Sequence, residues 1–140
     1  MKLIPVNRKR FSDLGLTHVA VRIRKFDSEE SYTATFLVDT GAMDSMIPAS
    51  VLRKLGVQPL GKDAHELGSG GLVEHEYGLA EMSFLGGVIG TRILFGPERC
   101  EPLLGAVALQ SAGFIVDPVG ERLRKMRPKP LKAVALKSVA

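Results

Sequence analysis

The chain has no tryptophan, a single cysteine and few aromatic residues of any kind. Each shortage removes a class of protein. Cys100 alone excludes an intramolecular disulfide and any thiolate metal cluster built from one chain. His18, His65 and His75 lack the tight spacing of metal ligands, so neither a metal nor another cofactor is expected. With aromatics at 6%, stacking platforms for nucleic acid are poorly supplied. No window approaches the ~18 apolar residues of a membrane span. The basic stretch Met1–Arg10 is followed by no apolar segment of signal-peptide length. A cytoplasmic protein without a membrane span is the expectation.

What is present reads as one domain. The chain has 140 residues, 45% hydrophobic and 24% charged, and its 15 glycines and 8 prolines are scattered between short apolar runs. That punctuation predicts a mainly β fold built from many turns. The net charge of +4 is unevenly placed: residues 121–140 carry Arg122, Arg124, Lys125, Arg127, Lys129, Lys132 and Lys137 against Glu121, a net +6, which leaves residues 1–120 at −2. Such a tail can hold nucleic acid or an anionic surface electrostatically. The simpler reading is a solvated terminus.

Along the chain, Thr17–Arg24 alternates, with Val19, Val21 and Ile23 on one side and His18, Arg22 and Arg24 on the other, as in a half-buried strand. Tyr32–Val38 reads as a second strand that enters the core at Phe36-Leu37-Val38. Pro48 sits at a helix start, and Ala49–Leu55 reads as a short helix stopped by Gly56. Gly68-Ser69-Gly70-Gly71 predicts a hairpin tip within His65–Tyr77. The second strand of that hairpin continues to Phe84, turns at Gly86-Gly87 and returns along Val88–Phe95. After a loop bracketed by Pro97 and Pro102, Leu103-Leu104-Gly105 leads into a helix over Ala106–Ala112, then a strand at Phe114–Val116 and a turn at Asp117–Gly120. Twice, then, an apolar run leads into a glycine, a small residue and a short helix. Two similarly shaped loops meeting near one point are expected.

Asp39 is the unusual residue. A carboxylate directly after three large apolar residues lies at the mouth of a buried strand, where its charge is costly unless paired or neutralised. Thr40 supplies a hydroxyl that donates and accepts, Gly41 lets backbone approach a ligand, and Ala42 leaves room for one. Taken alone, Asp39-Thr40-Gly41 also fits a plain turn opened by an Asx-type bond.

In context, the segment from Phe36 to Ile47 resembles the active-site segment of retropepsins and their single-domain bacterial relatives: apolar-apolar-Asp-Thr-Gly-Ala, then Ser45 and an apolar residue. Ile47-Pro48 and the helix ending Leu55-Gly56 match bacterial members. Leu103-Leu104-Gly105 is similar to the family's second signature, and Gly68–Gly71 stands where a glycine-rich flap belongs. The resemblance covers roughly residues 16–124, with 1–15 read as an N-terminal extension, 16–125 as the domain and 126–140 as a basic tail. Met43 and Ala106 depart from the pattern, since retroviral members place an ion-paired Asp and Arg there.

The resemblance implies a small closed β-barrel of the retropepsin type with one or two short helices, and an aspartic endopeptidase active only as a homodimer; the alternative is a catalytically idle dimeric module of the same fold that binds peptides in the same groove. The mechanism needs two carboxylates sharing a proton. One Asp-Thr-Gly per chain means that two copies of Asp39 must face each other across a twofold axis. It further implies that Thr40 hydroxyls brace the dyad, that the Gly41 carbonyl meets substrate, and that Ala42, Asp44, Gly68, Ser69, Gly70, Gly71 and Leu72 contact an extended peptide. His65 and His75 read as surface residues beside the flap, Ser45 as structural, and Cys100 as a half-buried residue without a nucleophile's partners.

Overall fold

Alternation in the first segment is realised as a strand with Val19, Val21 and Ile23 buried on its inner side. A computed structural model describes residues 3–4, 17–117 and 122–126. The elements are β1 (Leu3–Ile4), β2 (Thr17–Arg24), β3 (Ser31–Val38), β4 (Ser45–Pro48), α1 (Ala49–Leu55), β5 (Gly61–Glu66), β6 (Leu72–Phe84), β7 (Gly87–Gly96), β8 (Leu103–Leu104), α2 (Ala106–Ser111), β9 (Phe114–Asp117) and β10 (Arg122–Lys125). The protein is mainly β. No helix among the described residues is long and apolar enough to cross a membrane.

The main sheet runs β2-β3-β8-β4-β7-β6-β5, and a further pairing of β2 with β6 closes its first six strands into a ring. The length of β6 makes this possible. Its second half pairs with β7 from Tyr77↔Leu94 to Phe84↔Gly87 and with β2 at Ile23↔Met82. Its first half, from Leu72, leaves the ring and pairs only with β5. Inside the ring lie Val21, Ile23, Phe36, Ile47, Met82, Ile93 and Leu104, all fully buried, and α1 adds Leu52. Truncating a buried phenylalanine such as Phe36 costs about 3–5 kcal/mol.

Several details differ from expectation, each for a local reason. His18 is buried, because Glu101 from the β7–β8 loop pairs with it at 3.1 Å and the neighbouring Pro102 carbonyl accepts from Leu37, its cross-strand partner. The expected turn at Gly86-Gly87 falls one residue earlier: Leu85 (φ 50) and Gly86 (φ 82) form the turn, and Gly87 already pairs with Phe84. Positive φ at both positions matches the right-handed twist of the strands. Residues 45–48 form β4, paired in parallel with β7, where the sequence shows no strand-length run.

A second, smaller sheet has the order β1-β10-β9. Leu3 and Ile4 pair with Arg124 and Leu123, so part of the segment read as an N-terminal extension is strand. Arg122–Lys125, read as the start of the basic run, pairs with Phe114–Asp117, and Leu123 is fully buried. The turn expected at Asp117–Gly120 runs into residues 118–120, and the tail beyond residue 126 also lies outside the described residues.

Candidate active site

The two loops that share a sequence shape do meet. β3 and β8 lie parallel, with Leu37 beside Leu103 and Val38 beside Leu104, so the chain leaves both strands at the same level. Asp39 N–H donates to Leu104 O at 3.0 Å, Ala106 N–H to Ala42 O at 2.8 Å and Val107 N–H to Met43 O at 3.1 Å. Buried Ser45 completes the clamp, its hydroxyl accepting from Gly105 N–H at 3.0 Å. The serine is thus structural as expected, though its partner is distant in sequence.

Gly105 is required by this close approach. A Cβ there would stand 2.6 Å from Met43 O and from Asp44 C. No side chain fits against backbone at that distance.

Asp39 is half-buried at the head of the loop. Its Oδ1 accepts the Gly41 N–H at 3.0 Å, the Asx-type bond that a plain turn would also make. Here the bond orients the carboxyl, and Oδ2 has no partner among the described residues. Thr40 and Gly41 are exposed on the single chain.

Opposite this loop, β5 and the outer half of β6 form a hairpin. Its tip, residues 67–71, closes with Gly70 N–H donating to Leu67 O at 2.8 Å and Leu67 N–H to Gly71 O at 2.7 Å. Gly70 has φ 93, which an L side chain rarely adopts. The glycine-dense hairpin tip read from the sequence is therefore present.

Between hairpin and loop lies a groove of about 890 Å³. Of the residues expected at the site, Asp39, Gly41, Ala42, Asp44 and Gly68 line it. Thr40, Ser69, Gly70, Gly71 and Leu72 lie outside its lining, and Leu72 is 76% exposed. The apolar wall comes from Met43, Met46, Leu94, Leu103 and Val107.

Several charged groove residues were not singled out as site residues. His65, His75, Asp63 and Arg92 all line the groove. The two histidines are partly buried with ring centroids 5.9 Å apart, which corrects their reading as surface residues. They point inward because Asp63 and His65 alternate onto one face of β5, and His75, opposite Asp63, lies on the matching face of β6. Strand alternation was visible in the sequence, but which face turns inward was not.

Asp44 is 14% exposed, with Oδ2 3.4 Å from His65 Nε2 and Oδ1 3.6 Å from Arg92 Nε. Arg92 also bonds Asp63 and lies over the Tyr77 ring, 3.9 Å from its centroid. The hydrogen bond to Asp63 raises the Arg92 pKa above its ordinary value, with Asp44 adding to the effect. Met43 and Ala106 carry no charge; the buried-side carboxylate of the loop is Asp44, faced by His65 from β5 and Arg92 from β7.

Among the described residues no group of three or more His, Cys, Asp or Glu side chains is arranged to hold a metal ion. Cys100 is half-buried, and burial pushes its thiol pKa up.

A family model described as aspartyl protease matches residues 12–97, which takes in the Asp39 loop and the hairpin over it. Among solved structures, the chain is similar to a retropepsin-like aspartic protease from Rickettsia conorii at 18% identity, over 88% of this chain and 98% of that one, with a TM-score of 0.47. No protein of curated function matches.

Proposed function

The chain belongs to the aspartyl protease family, and from that premise we propose that it is an aspartic endopeptidase whose site is completed by a second copy of itself. The observation that carries the reading is the half-buried carboxylate of Asp39, on a loop clamped to Leu104–Val107 at the head of a groove beneath a hairpin.

Asp39 by itself cannot perform this hydrolysis, and the groove's other aspartates, Asp44 and Asp63, are engaged with His65 and Arg92. One group must take a proton from water while another, protonated, polarises the scissile carbonyl. Two Asp39 side chains facing each other across a twofold supply both roles, since carboxyls held about 3 Å apart share one proton. Water then attacks the carbonyl carbon, the protonated carboxyl donates to the carbonyl oxygen, and collapse of the tetrahedral species with proton transfer to the amide nitrogen breaks the C–N bond. The Thr40 hydroxyl braces the dyad from below and the Gly41 carbonyl receives substrate N–H. Ala42 and Asp44 form the wall beside the peptide, and residues 68–72 close over it.

Surface composition supports the half-site reading. Met43 is 72% exposed, Val107 40%, Leu67 48% and Leu72 76%, and all four are at or near the groove mouth. Large apolar side chains gathered around a polar centre mark a surface that a partner or ligand covers. An extended peptide lying in the groove would bond through its backbone like an added strand.

The test is incubation with a mixed peptide library from acid to neutral pH, with cleavage sites read by mass spectrometry. Wild-type protein should cut internal peptide bonds. Asp39→Asn should fold and cut nothing, because the amide can neither accept the water proton nor donate one. Cleavage retained by purified Asp39→Asn would overturn the assignment. Peptides bound but never cut by wild-type protein would leave only a binding module of the same fold.

A further inference from the structure

The flap has little apolar packing to hold it down. None of the six residues of β5 is fully buried, and the first six of β6 are likewise partly or wholly exposed. β5 has a single neighbouring strand, and a two-stranded hairpin by itself is marginal in water. Something else must keep this hairpin over the groove.

Polar contacts are available, and their exposure ranks them. Lys62 and Glu74 are 63% and 65% exposed and link only the hairpin's own strands. Arg53 and Glu76 tie the hairpin's outer face to α1 at 3.1 Å, with Arg53 57% exposed. Solvated pairs of this kind contribute little. Asp44 is different. At 14% exposure its carboxylate is costly unless hydrogen bonds or a cation answer it. The answer comes from the hairpin side: His65 Nε2 on β5 hydrogen-bonds Oδ2 at 3.4 Å, and the Arg92 guanidinium on β7 approaches Oδ1 to 3.6 Å as an ion pair rather than a hydrogen bond. Arg92 then spans to Asp63 on β5 and sits over the Tyr77 ring of β6. One guanidinium thus touches the site loop and both strands of the hairpin.

We infer that Asp44, Arg92 and His65 form a clasp that seats the flap over the groove, making Arg92 and His65 positioning residues for peptide capture. The kinetic consequence rests on the protease reading above; the structural one does not. A clasp of partly exposed charges, unlike an apolar lock, can open to admit a peptide and reclose. It touches neither Asp39 carboxyl, so weakening it should impair capture more than chemistry.

Hydrogen–deuterium exchange of the full-length protein without substrate tests the structural claim. Exchange in residues 61–77 should quicken about tenfold in Asp44→Asn and in Arg92→Met, because a partly buried charged contact is lost. His65→Gln should show a smaller increase. Arg92→Lys should restore part of the protection, keeping the charge without the planar fork. The Asp44→Asn/Arg92→Met double variant should exchange little faster than the worse single one, since the two groups act together. Amides of β2 and β3 should not change. Unaltered flap exchange in folded Asp44→Asn and His65→Gln would overturn the clasp, as would quickening spread equally into β2 and β3. In peptide cleavage, Arg92→Met and His65→Gln should raise KM with kcat nearly kept; a fall in kcat at constant KM would overturn the positioning role. If wild-type protein cuts no peptide, the protease reading falls, and the exchange data still decide the clasp.

Discussion

Replacing Gly105 by alanine puts one methyl group into the clamp between the two loops. Its Cβ would lie 2.6 Å from Met43 O and Asp44 C and 2.7 Å from Asp44 O, where ordinary contact begins at 3.4 Å. The obstacles are backbone atoms, so no rotamer change relieves them. The site loop must withdraw by about 0.8 Å to restore contact distance. The bonds that seat the loop now measure 2.8 Å (Ala106 to Ala42), 3.1 Å (Val107 to Met43) and 3.0 Å (Gly105 to Ser45). Stretched by that amount they reach about 3.6–3.9 Å, which is no longer hydrogen bonding. Three lost bonds at about 0.5–1.5 kcal/mol each give a destabilisation of about 2–4 kcal/mol. For a domain of this size that is a fall in Tm of about 5–15 °C. A displacement approaching 1 Å at the carboxylate-bearing loop should also cost about 100-fold in kcat/KM. The assay is thermal unfolding by circular dichroism at one fixed protein concentration, because the proposed self-association would make Tm concentration-dependent. Gly68→Ala is the control: nothing lies within 4 Å of its Cβ position, and its Tm should match wild type closely. A Gly105→Ala protein melting within about 2 °C of wild type would show that the loops are not clamped as described.

On the proposed reading, two Asp39 carboxyls brought face to face would share one proton, so association should take up a proton and tighten as pH falls. Dissociation constants from sedimentation across a pH series should show this dependence in wild type; curves running parallel for wild type and Asp39→Asn would refute the shared dyad. Burial pushes the Cys100 thiol up, so at neutral pH iodoacetamide should alkylate it more slowly than glutathione, with the rate rising as pH rises. Alkylation at the free-thiol rate, followed by mass spectrometry, would contradict that. Ending the chain at Met126 keeps β10 and the Met126 N–H bond to Gly113 O, and should preserve both the dimer and peptide cleavage. Monomers by light scattering would assign residues 127–140 to the interface.

The sequence determined those features that depend on local pattern. Period-two alternation marked β2, and helix α1 was bounded by Pro48 and Gly56 as read, because caps act within one turn. The hairpin tip followed from its cluster of glycines, of which Gly70 (φ 93) takes a conformation that an L side chain rarely adopts. The family was legible because Phe36–Ile47 compresses an unusual requirement, a carboxylate directly after buried apolar residues, into one short segment. Tertiary structure decided the rest. Ser45–Pro48 and Leu103–Leu104 are strands only because β7 and β3 lie beside them, and runs of that length carry no period to read. Leu3–Ile4 joins Leu123–Arg124 across nearly the whole chain, a pairing that no local window contains. The charged half of the groove was hidden for the same reason. Asp44, Asp63, His65 and Arg92 are separate polar residues in sequence, and alternation says only that some of them share a face. Which face turns toward the site loop depends on β6 leaving the ring at Tyr77, and that is settled by the packing of the whole sheet.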